Sequence, residues 1–539
     1  MLRLESIANY ARCAWQRHDA GALALAGAVV GVGSHLLYWM HGLRTPQAAR
    51  ICWSHAAAFA LTFAFCVWSH GALFGLQAAG AFCGSYMAGV FGSMTIYRLF
   101  FHRLRRFPGP VSAKITLMHG WFRDRYQSHE RLVRWCDQYG DIVRIGPMDL
   151  VLRSADAVQK TQGLTSACSK RGSGIFESFE YEGSYSLEAL IDNAAHRRRR
   201  QIWDRAQNSK AMAKYEIDTR TVSRTWLERL DSLDGAPVEI TKAMVLVASL
   251  FKQGADIAMV AWPILVANSF GKFGDIAEFG KISAEMSADR FQRDDPGLED
   301  FYKYFLEDFR SEKRKSFFNK HDLHVDTDAF LVAATDTVSV TLAWIFYYLT
   351  AHPEIRAKLY GEIKPAYDKT VPGEFSDADL SNLDYLHGVI NEALRIKPVA
   401  DGRCSKAGFS TPRVTPPEGI EVDGVWIPGH VQVFTPPWLL CRYEKYFPQA
   451  DQFIPERWTT RPELVVDKRA FIPFNAGRWS CAGKKVAMML MRLVVAYTLF
   501  EYDFDFAPGE DGTAIIRDTV NHSLIKPGKL YLCFKRRIA

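Results

Sequence analysis

The chain has 539 residues, of which 48% are hydrophobic and 23% charged, and its net charge at pH 7 is +7. These proportions exclude a disordered protein, and so mild a charge argues against a dedicated nucleic-acid binder. The length predicts one large domain with an appendage, or two domains. The ten cysteines include no CxxC pair, so neither a zinc site nor a disulfide framework is expected.

The first hundred residues predict a membrane anchor. No charged residue lies between Asp19 and Arg44, and residues 51–97 contain no Asp, Glu, Lys or Arg. An apolar helix needs about 20 residues to cross a bilayer. Buried helices of a soluble core are the alternative interpretation of these segments. The prediction for residues 1–106 is an anchor with about three transmembrane helices, at roughly 21–40, 52–69 and 72–94.

Basic residues predict the orientation of this anchor. Four of them follow the last predicted span, namely Arg98, Arg103, Arg105 and Arg106. Two lie in the first loop, namely Arg44 and Arg50. Positively charged loops remain cytosolic, so we expect the amino terminus in the lumen and the bulk of the chain in the cytosol. The residues "FPGP", 107–110, cannot continue a helix and predict a stiff hinge before a large domain of residues 111–539.

Helices dominate the predicted elements after the hinge, and strands are few. The predicted elements are a helix from Ala113 to Tyr139, two short strands within Gly140 to Ser154, a long apolar helix from Thr327 to Leu349, a helix opened near Pro353, and a final helix from Gly483 to Leu499.

The long apolar helix is interrupted by polar residues at "AATDTVS", Ala333 to Ser339. Burying Asp336 and Thr337 costs free energy unless both are paired or hydrated. Thr337 can hydrogen-bond to the carbonyl group of Ala333, which would leave a notch, and the small Ala334 would let a flat ligand approach. The pattern favours a ligand site over a polar surface stripe.

Two further motifs and one cysteine carry little information individually. "NEALRIKP" places Glu392 and Arg395 three residues apart on one helical face, and Arg457 in "FIPERW" has a guanidinium able to bridge such a pair. "FNAGRWSCAG", residues 474–483, places Cys481 in a glycine-containing bend before an apolar helix. An isolated cysteine of this kind is more often an ordinary buried thiol.

Taken together and in this order, the motifs resemble those of the cytochrome P-450 family of haem-thiolate monooxygenases, in its membrane-anchored fungal form. The likeness covers roughly residue 108 to the carboxyl end. The matching residues are Phe474, Gly477, Cys481 and Gly483 for the haem loop FxxGxRxCxG, residues 333–337 for the oxygen-activation motif, Glu392 and Arg395 for ExxR, and Arg457 for the last member of the Glu–Arg–Arg triad.

The resemblance implies a mainly α fold with small β-sheets, preceded by N-terminal transmembrane helices. It implies haem b as the cofactor, with the thiolate of Cys481 as the axial ligand of the iron. Asp336 and Thr337 would deliver protons, whereas Glu392, Arg395 and Arg457 would be structural.

The haem propionates would need cationic partners. "HRRRRQIW", residues 196–203, occupies the place of the family's WxxxR helix, so His196 and Arg200 are expected to contact them. A solvated face or a reductase-docking patch is the other use of this basic run, and both uses can coexist on different faces. A strand arginine is expected to be either Arg413 or Arg403, and we prefer Arg413.

Two features depart from the family pattern. Trp479 stands where the haem loop usually has arginine, and Arg478 lies one position early. The stretch from Ala206 to Val325, expected to form the roof of the substrate pocket, looks short. Its apolar run at residues 257–270 contains Pro263 and is too short to span a bilayer. This apolar run predicts a roof loop that dips into the membrane. An incorrectly spliced gene model is the alternative explanation for the short roof.

The resemblance implies a monooxygenase that inserts one oxygen atom into an apolar small molecule, as fungal relatives in secondary metabolism often do. No flavin or nicotinamide domain follows the last helix, so NADPH-cytochrome P-450 reductase is the expected electron donor, with cytochrome b5 as an optional second one. The expected location is the endoplasmic reticulum membrane, with lipid contacts, a cytosolic catalytic domain and no nucleic-acid partner. The alternatives are a haem-thiolate isomerase or dehydratase, against which Thr337 argues, and a catalytically degenerate membrane haem protein.

Overall fold

A computed structural model describes nine segments of the chain, and the predicted roof loop at 257–270 lies outside them. The described residues are 20–41, 48–116, 127–172, 176, 180–250, 284–293, 298–399, 412–521 and 524–537. Helices dominate, and the described strands form four small sheets. The predicted fold class, mainly α with small β-sheets after apolar N-terminal helices, is therefore confirmed.

The N-terminal region forms three helices close to the predicted spans. They are Ala20–Ser34 with a π-helical extension at His35–Trp39, Ala48–His70, and Ala72–Ile96 with a π-helical extension at Tyr97–Phe101. The first and third pack so closely that a Cβ atom at Gly31 would overlap the carbonyl oxygen of Tyr86. Small residues permit this approach of two helix backbones.

Three described helices are long and apolar enough to cross a membrane: Gly21–Trp39, Arg50–Trp68 and Lys320–Ala351. The helix Ala72–Ile96, predicted as the third span, is not among them. Only 17% of the first apolar window and 6% of the second are buried, against 65% of the third. Because its apolar side chains pack inside the protein, Lys320–Ala351 is a core helix, whereas the first two helices present theirs outwards as membrane helices do.

The chain after residue 110 contains four helices that position the candidate site. We name them the basic helix (Asn193–Arg205), the long helix (Lys320–Ala351), the ExxR helix (Asp384–Ile396) and the cysteine helix (Lys484–Glu501). The other α-helices are Val111–Ile115, Ser128–Tyr139, Ala155–Gln162, Ser209–Leu233, Ile240–Leu250, 284–292, Phe301–Arg310, Pro353–Ile363, Asp377–Leu380, Pro437–Leu440 and Thr513–Arg517. Short 3-10 helices occupy Lys364–Ala366, Pro455–Trp458, Pro462–Leu464, Lys468–Ala470 and Gly477–Trp479.

One predicted helix differs in the structure. A single helix was expected from Ala113 to Tyr139, but Thr116 adopts an extended conformation with φ −150° and ψ 149°, which ends the helix Val111–Ile115. A separate helix, Ser128–Tyr139, begins after residues outside the described part of the chain. Thr116 is β-branched, and its extended backbone suits that side chain better than a helix does.

Eleven short strands are described, in four sheets. They are β1 Ile142–Arg144, β2 Asp149–Leu152, β3 Val238–Glu239, β4 Arg413–Val414, β5 Ile420–Val422, β6 Val425–Ile427, β7 Gln432–Phe434, β8 Tyr502–Phe506, β9 Val520–Asn521, β10 Ile525–Lys526 and β11 Tyr531–Arg536. The largest sheet has the order β1–β2–β7–β4, with β2 parallel to β7 and the other pairs antiparallel. The β4 strand opposes Arg413 to Val433, which places this arginine inside the domain.

The long helix has a well-defined start because Asn319 forms a capping box with Asp322. The Asn319 side chain accepts a hydrogen bond from the Asp322 N–H at 2.9 Å, and the Asp322 carboxylate accepts one from the Asn319 N–H at 3.2 Å. These two bonds satisfy donors that a helix end leaves unpaired. The helix then runs through the largest buried cluster, to which it contributes Trp344 and Phe346.

A buried ionic group joins the basic helix to the start of the long helix. Arg199 is 3% exposed; its Nη1 lies 2.8 Å from the carboxylate of Asp326, which is fully buried. Its Nη2 lies 3.3 Å from Asp322, and its Nε donates to the hydroxyl of Ser316 at 2.6 Å. The position of the long helix therefore depends on a guanidinium from the basic helix.

We predict that Arg199→Met lowers the free energy of unfolding by about 3–5 kcal/mol, because it leaves the buried carboxylate of Asp326 without its cation. Urea unfolding of the purified protein, followed by circular dichroism, measures this. Arg197→Met is the matched control, since Arg197 lies on the exposed face of the same helix. Equal unfolding midpoints for the two variants would contradict the prediction.

Candidate active site

Cys481 lies in a bend between the 3-10 turn Gly477–Trp479 and the cysteine helix. Its backbone N–H donates to the carbonyl oxygen of Phe474 at 2.8 Å, which closes the bend. Gly477 has a φ of +65°, and a Cβ atom there would overlap the carbonyl oxygen of Gln162. Glycine is needed at this position for both its backbone conformation and its lack of a side chain.

The thiol of Cys481 is exposed to solvent although protein surrounds it densely. Desolvation raises its pKa, and a hydrogen bond from the backbone N–H of Gly483 and the nearby charge of Arg200 oppose that rise. A metal cation bound to the sulfur would favour the thiolate strongly.

The oxygen-activation motif lies on the long helix, which packs against the cysteine helix. The hydroxyl of Thr337 donates to the carbonyl oxygen of Ala333 at 2.7 Å, as the spacing predicts, and the helix remains α-helical throughout. Thr335 is buried, whereas Ala333 is exposed and Asp336 is half-buried. Ala333 is therefore accessible although most of the helix around it is buried.

Glu392, Arg395 and Arg457 form one fully buried group. Arg395 donates to both carboxylate oxygens of Glu392 at 2.9 Å, and Arg457 donates to one of them at 3.2 Å. The indole N–H of Trp458 donates to the same carboxylate at 2.9 Å, and the backbone N–H of Ile454 does so at 3.1 Å. The buried carboxylate is therefore fully satisfied.

Several cationic side chains converge around Trp479. Arg413 is 1% exposed, and its guanidinium lies 4.3 Å from the centre of the indole ring. His196 is also buried, and desolvation, followed by the charges of Lys170, Arg200 and Arg413, lowers its pKa to about 3. The structure thus brings two of the predicted propionate partners, His196 and Arg413, into one electrostatic group.

Arg200 and Arg478, two further basic residues of this region, have partners within the protein. Arg200 donates to the carbonyl oxygen of Ser480 at 2.7 Å and to the carboxylate of Asp204 at 2.8 Å, so it braces the cysteine loop. Arg478 donates to the carbonyl oxygens of Leu164 at 2.7 Å and Ser166 at 3.0 Å. Arg403, the alternative strand arginine, lies outside the described residues.

Comparisons with known proteins identify the family. A cytochrome P-450 family model matches residues 269–534. The cytochrome P-450 monooxygenase sthD of Phaeosphaeria nodorum is 31% identical over 83% of this chain and 98% of its own length. The monooxygenase lcsK of Purpureocillium lilacinum is 28% identical over 96% of this chain and 98% of its own, and tryprostatin B 6-hydroxylase of Aspergillus fumigatus is 29% identical over 79% and 80%.

The chain belongs to the cytochrome P-450 family. Membership makes it an oxidoreductase of the monooxygenase type and implies a haem-thiolate cofactor. Monooxygenases of this family generally need a reductase as redox partner. The three relatives are fungal proteins, as the motifs predicted.

The residues present fit a haem of this cytochrome P-450 type. The indole N–H of Trp479 is buried and has no hydrogen-bond partner among the described residues, so it can donate to an anionic group. Buried cations beside this ring need an anion to be stable in the interior. Haem carries two propionates, and it would cover both the accessible sulfur of Cys481 and the exposed Ala333.

Reasoning from the sequence missed three residues of this site. Lys170 joins the cations around Trp479, Trp458 adds a donor to Glu392, and the side chain of Gln207 donates to the carbonyl oxygen of Ala482 at 2.6 Å. Only Trp458 had a signal in the sequence, because it directly follows Arg457 in "FIPERW". Lys170 and Gln207 lie outside the motifs, although Gln207 is only four residues beyond "HRRRRQIW".

We predict that Trp458→Phe lowers the free energy of unfolding by about 1.5–3 kcal/mol, because it removes one donor from the buried carboxylate of Glu392 and keeps the aromatic ring. The urea midpoint of the purified protein measures this. Trp426→Phe serves as the control, since Trp426 is 48% exposed. If Trp458→Phe were as stable as this control, the indole N–H of Trp458 would not contribute to the stability of the protein.

Proposed function

We propose that this cytochrome P-450 binds haem b through the thiolate of Cys481 and oxidises an apolar small molecule with dioxygen. The observation that carries the proposal is the sulfur of Cys481, which is accessible inside dense protein and accepts a hydrogen bond from the Gly483 N–H. When bound, a haem with a thiolate ligand supplies the chemistry that activates dioxygen. Phe474 and Gly477 shape the bend that presents the sulfur.

The long helix would manage the proton supply. The hydroxyl of Thr337 is held by the carbonyl oxygen of Ala333 and can pass a proton onward, while the half-buried carboxylate of Asp336 can exchange protons with solvent. The presence of Thr337 favours a monooxygenase over a haem-thiolate isomerase or dehydratase.

The remaining residues would bind the cofactor or hold the fold. His196 and Arg413 would face the haem propionates, and Arg200, through the carbonyl oxygen of Ser480, would hold the cysteine loop beside them. The buried group of Glu392, Arg395 and Arg457 would be structural, since its donors and acceptors are already used within the protein.

Residues 1–106 would anchor the enzyme in the endoplasmic reticulum membrane, with residues 107–110 as the connection and residues 111–539 as a cytosolic catalytic domain. Apolar side chains support this arrangement: Leu37 is 84% exposed and Trp53 is 77% exposed. Electrons would come from NADPH-cytochrome P-450 reductase. Fungal relatives such as tryprostatin B 6-hydroxylase support a substrate from secondary metabolism.

We predict that Cys481→Ser abolishes the Soret band typical of thiolate ligation in the reduced carbon monoxide complex, and product formation with it. The hydroxyl of serine is a far weaker ligand than a thiolate, because it stays protonated near neutral pH. Cys533→Ser is the control, since Cys533 lies on β11. A serine variant at position 481 that keeps both the band and turnover would contradict the proposed ligand.

We predict that Thr337→Ala lowers the amount of product formed per NADPH consumed by about tenfold or more, because a positioned proton donor is lost. Comparing NADPH consumption with product and hydrogen peroxide in a reductase-containing host measures this. Thr335→Ala is a close control: Thr335 makes the same kind of bond, to Leu331 at 2.9 Å, but is buried on another face of the helix. Equal coupling in both variants would exclude the role given to Thr337.

A further inference from the structure

Lys170 is a buried lysine beside the cysteine loop. Its side chain is 3% exposed, and its ammonium group donates to the backbone carbonyl oxygen of Glu188. The same ammonium group lies 4.7 Å from the ring centre of Phe176 and 5.8 Å from that of Trp479. A lysine is rarely buried to this extent unless its charge has a partner.

The hydrogen bonds of Lys170 leave capacity for a ligand. An ammonium group has three N–H donors. Among the described residues, the carbonyl oxygen of Glu188 accepts one of them. The two aromatic rings favour a cation through their π faces but accept no conventional hydrogen bond. Lys170 therefore has donors available on the side of Trp479.

Two basic groups and one carboxylate act on each other around Lys170 in the described part of the chain. Burial, followed by the charge of Arg413, lowers the pKa of Lys170 to about 7, and burial lowers the pKa of Arg413 to about 10. The carboxylate that opposes both shifts belongs to Glu188, whose side chain is exposed. Among the described residues, two buried basic groups therefore lie near one exposed carboxylate, an arrangement that suits an added anion.

Trp479 connects this lysine to the departure from the family pattern. Position 479 usually holds the arginine of the haem loop, and here its indole ring is contacted by Arg413 at 4.3 Å and by Lys170 at 5.8 Å. A tryptophan can donate one hydrogen bond but carries no charge. Compared with the family pattern, the chain therefore lacks a cation at position 479. The buried ammonium group of Lys170, which comes from another segment, lies next to this position.

We propose that Lys170 binds a haem propionate and supplies the positive charge that the haem loop lacks at position 479. This inference rests on the proposed function, since it requires the haem. The propionate would accept hydrogen bonds from the Lys170 ammonium group and from the indole N–H of Trp479. Arg413 and His196 complete a site that holds a carboxylate through charge-assisted hydrogen bonds.

The test measures haem retention in the purified full-length holoprotein. Transfer of haem to excess apomyoglobin gives the rate of haem loss, and a redox titration gives the reduction potential of the iron. Lys170→Gln keeps an N–H for the carbonyl oxygen of Glu188 but removes the charge, whereas Lys170→Arg keeps the charge. Lys160→Met is the control, because Lys160 is exposed on the preceding helix.

We expect Lys170→Gln to accelerate haem loss by about tenfold or more, the effect of one charge-assisted hydrogen bond. Its reduction potential should become more negative, because a cation near the haem disfavours the oxidised iron. Lys170→Arg should restore both values towards those of the wild type, and Lys160→Met should change neither. A Gln variant within twofold of the wild type in haem loss, at an unchanged potential, would overturn the proposal.

Two further outcomes separate the possible failures. If Lys170→Gln and Lys170→Arg lose haem equally fast, the charge is not what holds the haem and the proposal fails. If the wild-type protein folds but holds no haem, the proposed function fails and the inference about Lys170 fails with it. Haem bound by the wild type and retained equally by the Gln variant would refute the role of Lys170 alone.

Discussion

The buried carboxylate of Glu392 is the interaction on which the site depends. It accepts hydrogen bonds from the ExxR helix through Arg395 and from the following irregular segment through Arg457, Trp458 and the backbone of Ile454. Arg457 also donates to three backbone carbonyl groups of that segment. The carboxylate of Glu392 thus holds this irregular segment, which forms few regular backbone hydrogen bonds, to the ExxR helix. The same segment leads into the cysteine loop. Breaking such a buried pair costs far more than losing a surface ion pair.

The region around Trp479 has the opposite electrostatic character. Glu392 meets its donors within the protein, whereas Lys170, His196 and Arg413 are buried together, and Glu188, the carboxylate described beside them, is exposed. Repulsion between the charges of Lys170 and Arg413 opposes folding, as is common where a ligand completes a site. The structure therefore separates residues that stabilise the fold from buried basic residues whose positions suit an anionic ligand.

Local patterns predicted the elements that carry the chemistry. The polar interruption at Asp336 and Thr337 lies in the long helix, and the hydrogen bond from Thr337 to Ala333 follows from an i−4 spacing. The two short strands predicted within Gly140 to Ser154 and the helix opened near Pro353 also form as predicted. These features depend on neighbours within a few residues. The continuous helix predicted up to Tyr139 was wrong because the extended backbone of Thr116 ends the first helix.

The sequence by itself determined the family, and its motifs identified Cys481 and the three members of the Glu–Arg–Arg group, because each belongs to a short motif in a particular order. Only the tertiary structure decided which cations surround Trp479 and which side of the basic helix is buried. Lys170 reaches the site from a segment without a motif, and Arg199 is buried while its neighbour Arg198 is exposed. Burial and charge compensation are properties of packing between distant segments, so no local pattern predicts them.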